Sequence, residues 1–176
     1  MQPPSPAVDQ PRLAALDVQY FDSYAQAACV VASDWTAQAP DGEWTAIHES
    51  PSDYEPGSFF KRELPPLLKV LSQLPVLPRL LIVDGYVWLD EGRPGLGYHL
   101  HQALAEQSLV VGVAKTAFAG NWAAVEIRRH GTRPLYVTSI GMPVEEAASH
   151  VLQMAGSFRI PDLLRRTDQL AKTVQK

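Results

Sequence analysis

Cysteine is almost absent from this chain. The single thiol, Cys29, cannot close an intrachain disulfide, which removes the small disulfide-framework class. Long apolar runs are absent too: Leu80 to Val83 and Leu109 to Val113 fall far short of the ~20 residues that span a bilayer, so no membrane partner is expected. There is no excess of positive charge. Fifteen Lys and Arg against nineteen Asp and Glu leave a formal net charge of −4, and no generally basic surface advertises nucleic acid or anionic lipid. Any nucleic-acid site must be a local patch. Met1 to Gln10 lacks a cationic stretch followed by an apolar one, so a secretion signal is not expected and the cytoplasm is the expected compartment. The chain also lacks an internal repeat, a domain linker and a serine in a nucleophile-elbow context.

What is present suits one globular domain, expected as a monomer: 46% of the 176 residues are apolar, enough for one core and short for two. Four prolines (Pro3, Pro4, Pro6, Pro11) mark residues 1–12 as a disordered leader, so the domain is expected over 13–176. Leu13 to Phe21, Tyr24 to Trp35 and Glu43 to Glu49 are rich in β-branched, aromatic and Ala residues and are separated by turn chemistry, predicting a three-stranded antiparallel meander. Phe60, Leu64, Leu67, Leu68 and Leu71 recur at helical intervals within Phe59 to Leu74. Pro65 and Pro66 fit its first turns if the regular helix starts near Leu64. The short apolar run Arg79 to Asp84 predicts a strand covered on both faces, placed centrally. Gly95 to Glu106 then reads as a helix and Leu109 to Lys115 as a second buried strand. Ala123 to Arg129 and Leu135 to Ser139 read as outer strands, and Pro143 to Met154 and Asp162 to Val174 as closing helices. The result is an α/β layered domain with a mixed sheet.

Two acids stand in buried contexts, Asp17 in Leu16-Asp-Val-Gln-Tyr20 and Asp84 at the end of Leu80-Leu-Ile-Val-Asp-Gly85. A carboxylate there is costly unless it is paired, hydrogen-bonded or bound to a cation. A capped turn at Asp84-Gly85 and an arginine partner for Asp17 would satisfy each separately. If the first strand of the meander pairs with the strand after the helix, the two carboxylates face one another at the C-terminal edge where open α/β sheets place ligands. Convergent carboxylates without thiols or paired imidazoles suit a hard cation such as Mg²⁺ or Mn²⁺. Glu63 is a third candidate, with an exposed first-turn acid as its bland reading. His99 and His101, two apart on a helix, point in different directions and form no metal pair.

The order Tyr54-Glu-Pro-Gly-Ser-Phe-Phe-Lys-Arg-Glu-Leu-Pro-Pro-Leu-Leu68, Leu81-Ile-Val-Asp-Gly85, Gly95-Leu-Gly-Tyr-His-Leu100 and Val111-Gly-Val-Ala-Lys115 resembles endonuclease V, from about Leu13 to Ala171. The resemblance implies an RNase H-like fold and an endonuclease that cuts 3′ to a deaminated purine (inosine) in DNA or RNA. It implies that Asp17 and Asp84 hold Mg²⁺ (or Mn²⁺), with Glu63 reaching it directly or through water. The family's C-terminal His or Asp falls on Asp168, and Lys115 would neutralise charge at the scissile phosphate. Tyr54 is the carried-over wedge residue, and Arg62, Gly85, Asp90 and Arg93 complete the implied substrate-binding set, with Lys61 a further phosphate contact. The chain departs from the family around these residues. The family's Pro-Tyr-Ile-Pro-Gly wedge is Asp53-Tyr-Glu-Pro-Gly57 here, adding two negative charges that weaken duplex binding. Asp90 stands where the family has a histidine, and Tyr86 and Trp88 thicken a slim segment. A relative that binds nucleic acid or a nucleotide without inosine-specific cleavage is the competing expectation.

Overall fold

The computed structural model of the protein describes residues 12–49, 51, 53, 55–56 and 58–174. The expected leader, Arg12 apart, and the wedge residue Tyr54 lie outside the described residues. Three strands open the domain, β1 (Leu13–Tyr20), β2 (Tyr24–Ala32) and β3 (Gly42–Glu49), followed by helix α1 (Phe59–Leu71). Then come β4 (Leu80–Asp84), the short strands β5 (Trp88–Asp90) and β6 (Arg93–Pro94), helix α2 (Leu96–Ala103) and β7 (Leu109–Ala114). The chain closes through β8 (Val125–Ile127), β9 (Leu135–Ile140), α3 (Val144–Gln153) and α4 (Asp162–Lys172).

Seven strands form one mixed sheet in the order β3-β2-β1-β4-β7-β9-β8, with β4 in the middle. The meander is antiparallel, whereas β4 runs parallel to both β1 and β7. The unbroken apolar run of β4 follows from its place. Leu81 and Val83 enter a core with Leu67, Val70 and Leu100, from α1 and α2, on one face. Leu80 and Ile82 enter a second core with Ala147, Val151 and Met154, capped by Leu163 and Leu164, on the other. A strand buried on both faces has no polar side to show. With helices covering both faces of a mixed sheet led by an antiparallel meander, the fold is RNase H-like.

Three details differ from the sequence-based expectation. Helix α1 starts at Phe59, so Pro65 and Pro66 lie inside it rather than in its first turns. Their rings cost the ladder two N–H donors. Burial of Pro66, Leu67, Val70 and Leu71 against the sheet holds the helix together across them. The outer strand expected over Ala123 to Arg129 shrinks to Val125–Ile127, because Asn121 organises a turn just before it. The hairpin β5–β6 has no periodic signal at two and three residues per strand, and it occupies the segment between Asp84 and Gly95 for which no element is predicted.

Candidate metal and nucleic-acid site

The site starts from strand register. Leu16 of β1 pairs with Val83 of β4 in parallel, so the next residues, Asp17 and Asp84, stand side by side at the C-terminal end of the central strands. Both strands run out of apolar sequence at the same level, and each ends its buried stretch with a carboxylate. Gly85 follows with φ +129, a left-handed value that a β-carbon resists, and turns the chain away while its N–H donates to Val113 O at 3.2 Å. The chain then crosses directly over β7 at Gly112, where a β-carbon would meet Gly85 O at 2.5 Å and Val87 N at 2.9 Å. That close approach gives the glycine of Gly112-Val-Ala-Lys115 a physical reason.

Helix α1 brings Glu63 to this edge from one face and α4 brings Asp168 from the other. Two small hollows mark the junction. One, of about 10 Å³, is lined by Asp17, Glu63 and Asp84; the other, of about 20 Å³, by Asp17, Asp84, Lys115 and Thr167. Each has room for a water or an ion and none for an organic group. The electrostatics register the crowding. Burial, then repulsion by Asp84, push the Asp17 carboxyl up to about 7, against a bond from Val18 N–H that lowers it. Burial, then repulsion from Asp84 and Asp17, push Glu63 up to about 7 as well, with the neighbouring Arg62 opposing. Asp168 adds to the repulsion on Asp17.

Cations already stand against two of the four acids. Lys115 Nζ lies 3.3 Å from Asp84 Oδ2, and Lys172 Nζ lies 2.9 Å from Asp168 Oδ2. Among the described residues no three His, Cys, Asp or Glu side chains close into a coordination cage. Asp17 and Glu63 form no ion pair there, and their raised proton affinity marks an unmet demand for positive charge.

The remaining predicted residues are scattered around this centre. Arg62 lies with its guanidinium 3.8 Å from the Tyr20 ring centroid rather than extended to solvent. Asp90 and Arg93 face each other across the β5–β6 hairpin at 3.6 Å, and Arg93 also lies over the Phe118 ring at 5.4 Å. Lys61 is paired with Glu55 at 3.1 Å. His101 is a buried structural histidine, its Nδ1 2.7 Å from Ser108 O, and His99 stacks on Phe60.

Two residues with no sequence signal hold the site together. Arg159, in the α3–α4 connection, donates from Nη2 to Lys115 O at 2.6 Å and to Pro134 O at 2.7 Å. Gln26, fully buried in β2, donates from Nε2 to Leu170 O, Ala171 O and Thr173 O, satisfying the C-terminal carbonyls of the helix that carries Asp168. Only the tertiary structure brings either residue to its partners.

A mixed sheet covered by helices on both faces, with carboxylates converging at its β1/β4 edge, defines the class: an RNase H-like domain. Residues 3–142 match the Endonuclease V family, and the chain belongs to that family. Endonuclease V of Streptomyces avermitilis is 30% identical over 197 residues, covering 98% of this chain and 84% of that protein. The crystal structure of human ENDOV superposes with a TM-score of 0.77 at 25% identity, covering 92% of this chain and 82% of that one. Ciona intestinalis endonuclease V, crystallised with a 24-mer DNA containing an inosine followed by a ribo-adenosine, shares the fold at a TM-score of 0.76 and 18% identity. That match covers 92% of this chain and 84% of the Ciona chain.

Proposed function

We propose that the protein is a divalent-metal-dependent endonuclease that hydrolyses the phosphodiester 3′ to a deaminated purine, inosine, in DNA or RNA. The observation that carries this reading is the side-by-side placement of Asp17 and Asp84 at the parallel β1/β4 edge, flanked by Glu63 and Lys115. The donor set fits a hard cation: all four candidate ligands are carboxylates, and two of them are crowded enough to hold protons near pH 7 without one. Asp17, Asp84 and Glu63 would hold Mg²⁺ (or Mn²⁺), with Asp168 completing the set. When bound, the ion supplies Lewis acidity to a phosphoryl oxygen and a water of lowered pKa. Lys115 leaves Asp84 for the substrate phosphate and neutralises the charge that develops there. A protein nucleophile is not needed. Cys29 cannot serve as one, because burial pushes its thiol up to about 12 and it lies inside the β2 core. Tyr54, Arg62, Gly85, Asp90 and Arg93 form the proposed substrate-binding rim, with the Gly85 backbone nearest the acids.

A second reading, a relative that binds nucleic acid without inosine-specific cleavage, is favoured by the exposed acids Asp53 and Glu55 on either side of the wedge position. One assay separates the two. Matched single- and double-stranded oligonucleotides with and without one inosine are incubated with Mg²⁺ or Mn²⁺ and wild-type or Asp84→Asn protein. Metal-dependent nicking confined to inosine strands, and lost in Asp84→Asn, is the expected result. No cleavage by folded, metal-saturated wild type transfers the conclusion to the binding reading; indiscriminate cleavage removes the base specificity.

A further inference from the structure

Trp122 is the most exposed large apolar side chain among the described residues, with 88% of its surface in solvent. Its backbone is firmly held. Asn121, immediately before it, donates from its N–H to Phe118 O at 3.1 Å and from Nδ2 to Trp88 O at 2.7 Å. The Asn121 Oδ1 accepts from Ala123 N–H, immediately after it, at 3.0 Å. Both neighbours of Trp122 are therefore pinned, and the turn is tied to the β5–β6 hairpin.

The same loop is fastened to the candidate site at its other end. It leaves Lys115, accepts a hydrogen bond from Tyr86 OH at Thr116 O (2.6 Å), and places Phe118 between the edge of Tyr86 and the Arg93 guanidinium. The loop therefore runs from Lys115, the cation on Asp84, past Tyr86 to the β5–β6 hairpin, and carries Trp122 seven residues beyond Lys115. The exposed acids Asp53 and Glu55, the latter paired with Lys61, offer a phosphate backbone no attraction.

An indole held in water contributes nothing to the core, and a turn that fixes it in advance removes the ordering cost of a later contact. The flat face of tryptophan stacks on any unpaired base, whatever its identity. We infer that Trp122 is a base-stacking contact for an unpaired nucleotide of the strand that enters the site. The inference rests on the nucleic-acid reading above and adds to it a specific surface.

The test is binding, with no turnover. Wild-type, Trp122→Phe and Trp122→Ala proteins, each checked for an unchanged thermal melt, are titrated in EDTA with a 12-mer oligo-dT and with an abasic strand of the same length. Oligo-dT should quench the tryptophan fluorescence of the wild type and leave that of Trp122→Phe nearly unchanged. Trp122→Ala should raise the Kd for oligo-dT by roughly 5- to 100-fold, Trp122→Phe by less, and neither should alter binding of the abasic strand. Equal affinity of wild type and Trp122→Ala for oligo-dT overturns the inference, as does an equal loss on the abasic strand. Failure of the wild type to bind any strand overturns the nucleic-acid reading together with it.

Discussion

Asp17 and Glu63 share an unusual condition: burial and repulsion from Asp84 push each carboxyl up to about 7, so each holds its proton well above the ordinary carboxyl range in the metal-free protein. A carboxyl whose folded pKa lies above its unfolded value binds more protons folded than unfolded, so stability falls as pH rises from about 4 through about 7. The metal-free protein should therefore melt at a higher temperature at pH 5 than at pH 8, and added Mn²⁺ should raise the melting temperature more at pH 8. Scanning calorimetry at both pH values, with and without metal, checks this; an equal metal effect at the two would show that the carboxylates do not bind it. By the same sign, Asp17→Asn should raise the metal-free melting temperature at pH 8 by about 5 °C while abolishing cleavage. Arg159 supplies a second residue-scale prediction. Arg159→Ala should lower kcat roughly 10- to 100-fold with little change in KM, by loosening the Lys115 backbone. Arg129→Ala is the control, since Arg129 anchors the same connection through Met154 O, Gly156 O, Phe158 O and Arg159 O without touching Lys115. Equal kcat losses in the two variants at equal loss of stability would reduce Arg159 to a structural role.

At the scale of elements, helix α4 is what turns a strand-edge pair of acids into a larger site. It is held at its C-terminus by Gln26 and at mid-length by Arg166, whose Nε and Nη2 donate to the Glu43 carboxylate of β3 at 2.6 and 2.7 Å. The exposed Arg166–Glu43 pair contributes little in water. The buried Gln26 bonds matter more: Gln26→Leu strands helix-terminal carbonyls in the core and should cost about 1–3 kcal/mol. Amide exchange should then accelerate in α4 before it does in α3, and uniform acceleration across the domain would show that Gln26 is not a local anchor. The strands and helices with strong periodicity were readable from sequence because burial on one or two faces writes itself into the spacing of apolar residues. The β5–β6 hairpin and the start of α1 were not. The first is too short to carry a period, and the second holds two prolines that sequence logic assigns to a first turn but tertiary burial retains inside the helix.

The molecule as a whole is acidic, and that limits how it can hold a polyanion. Of the basic residues near the candidate site, Lys115, Lys172, Arg93 and Lys61 are exposed, and all four are now paired with acids. Four phosphate contacts predict that log Kd for a single strand changes by only about 3 per decade of salt, a shallow dependence measurable by fluorescence anisotropy. A slope several times steeper would reveal a basic surface elsewhere on the chain. The sequence alone determined the layered α/β architecture and the central place of Leu80–Asp84, and it singled out Asp17 and Asp84 as candidates, because a carboxylate in or at the end of a buried strand is conspicuous in one dimension; Asp168 was reached only through the family resemblance. The tertiary structure decided the rest: that Asp17 and Asp84 are neighbours in register, that Asp168 reaches them from the far face, that Arg159 and Gln26 support them, and that Trp122 is left outside. These facts depend on contacts between segments distant in the chain. Local periodicity carries no record of such contacts, because the pairing partner and not the residue's own neighbours sets what each side chain meets.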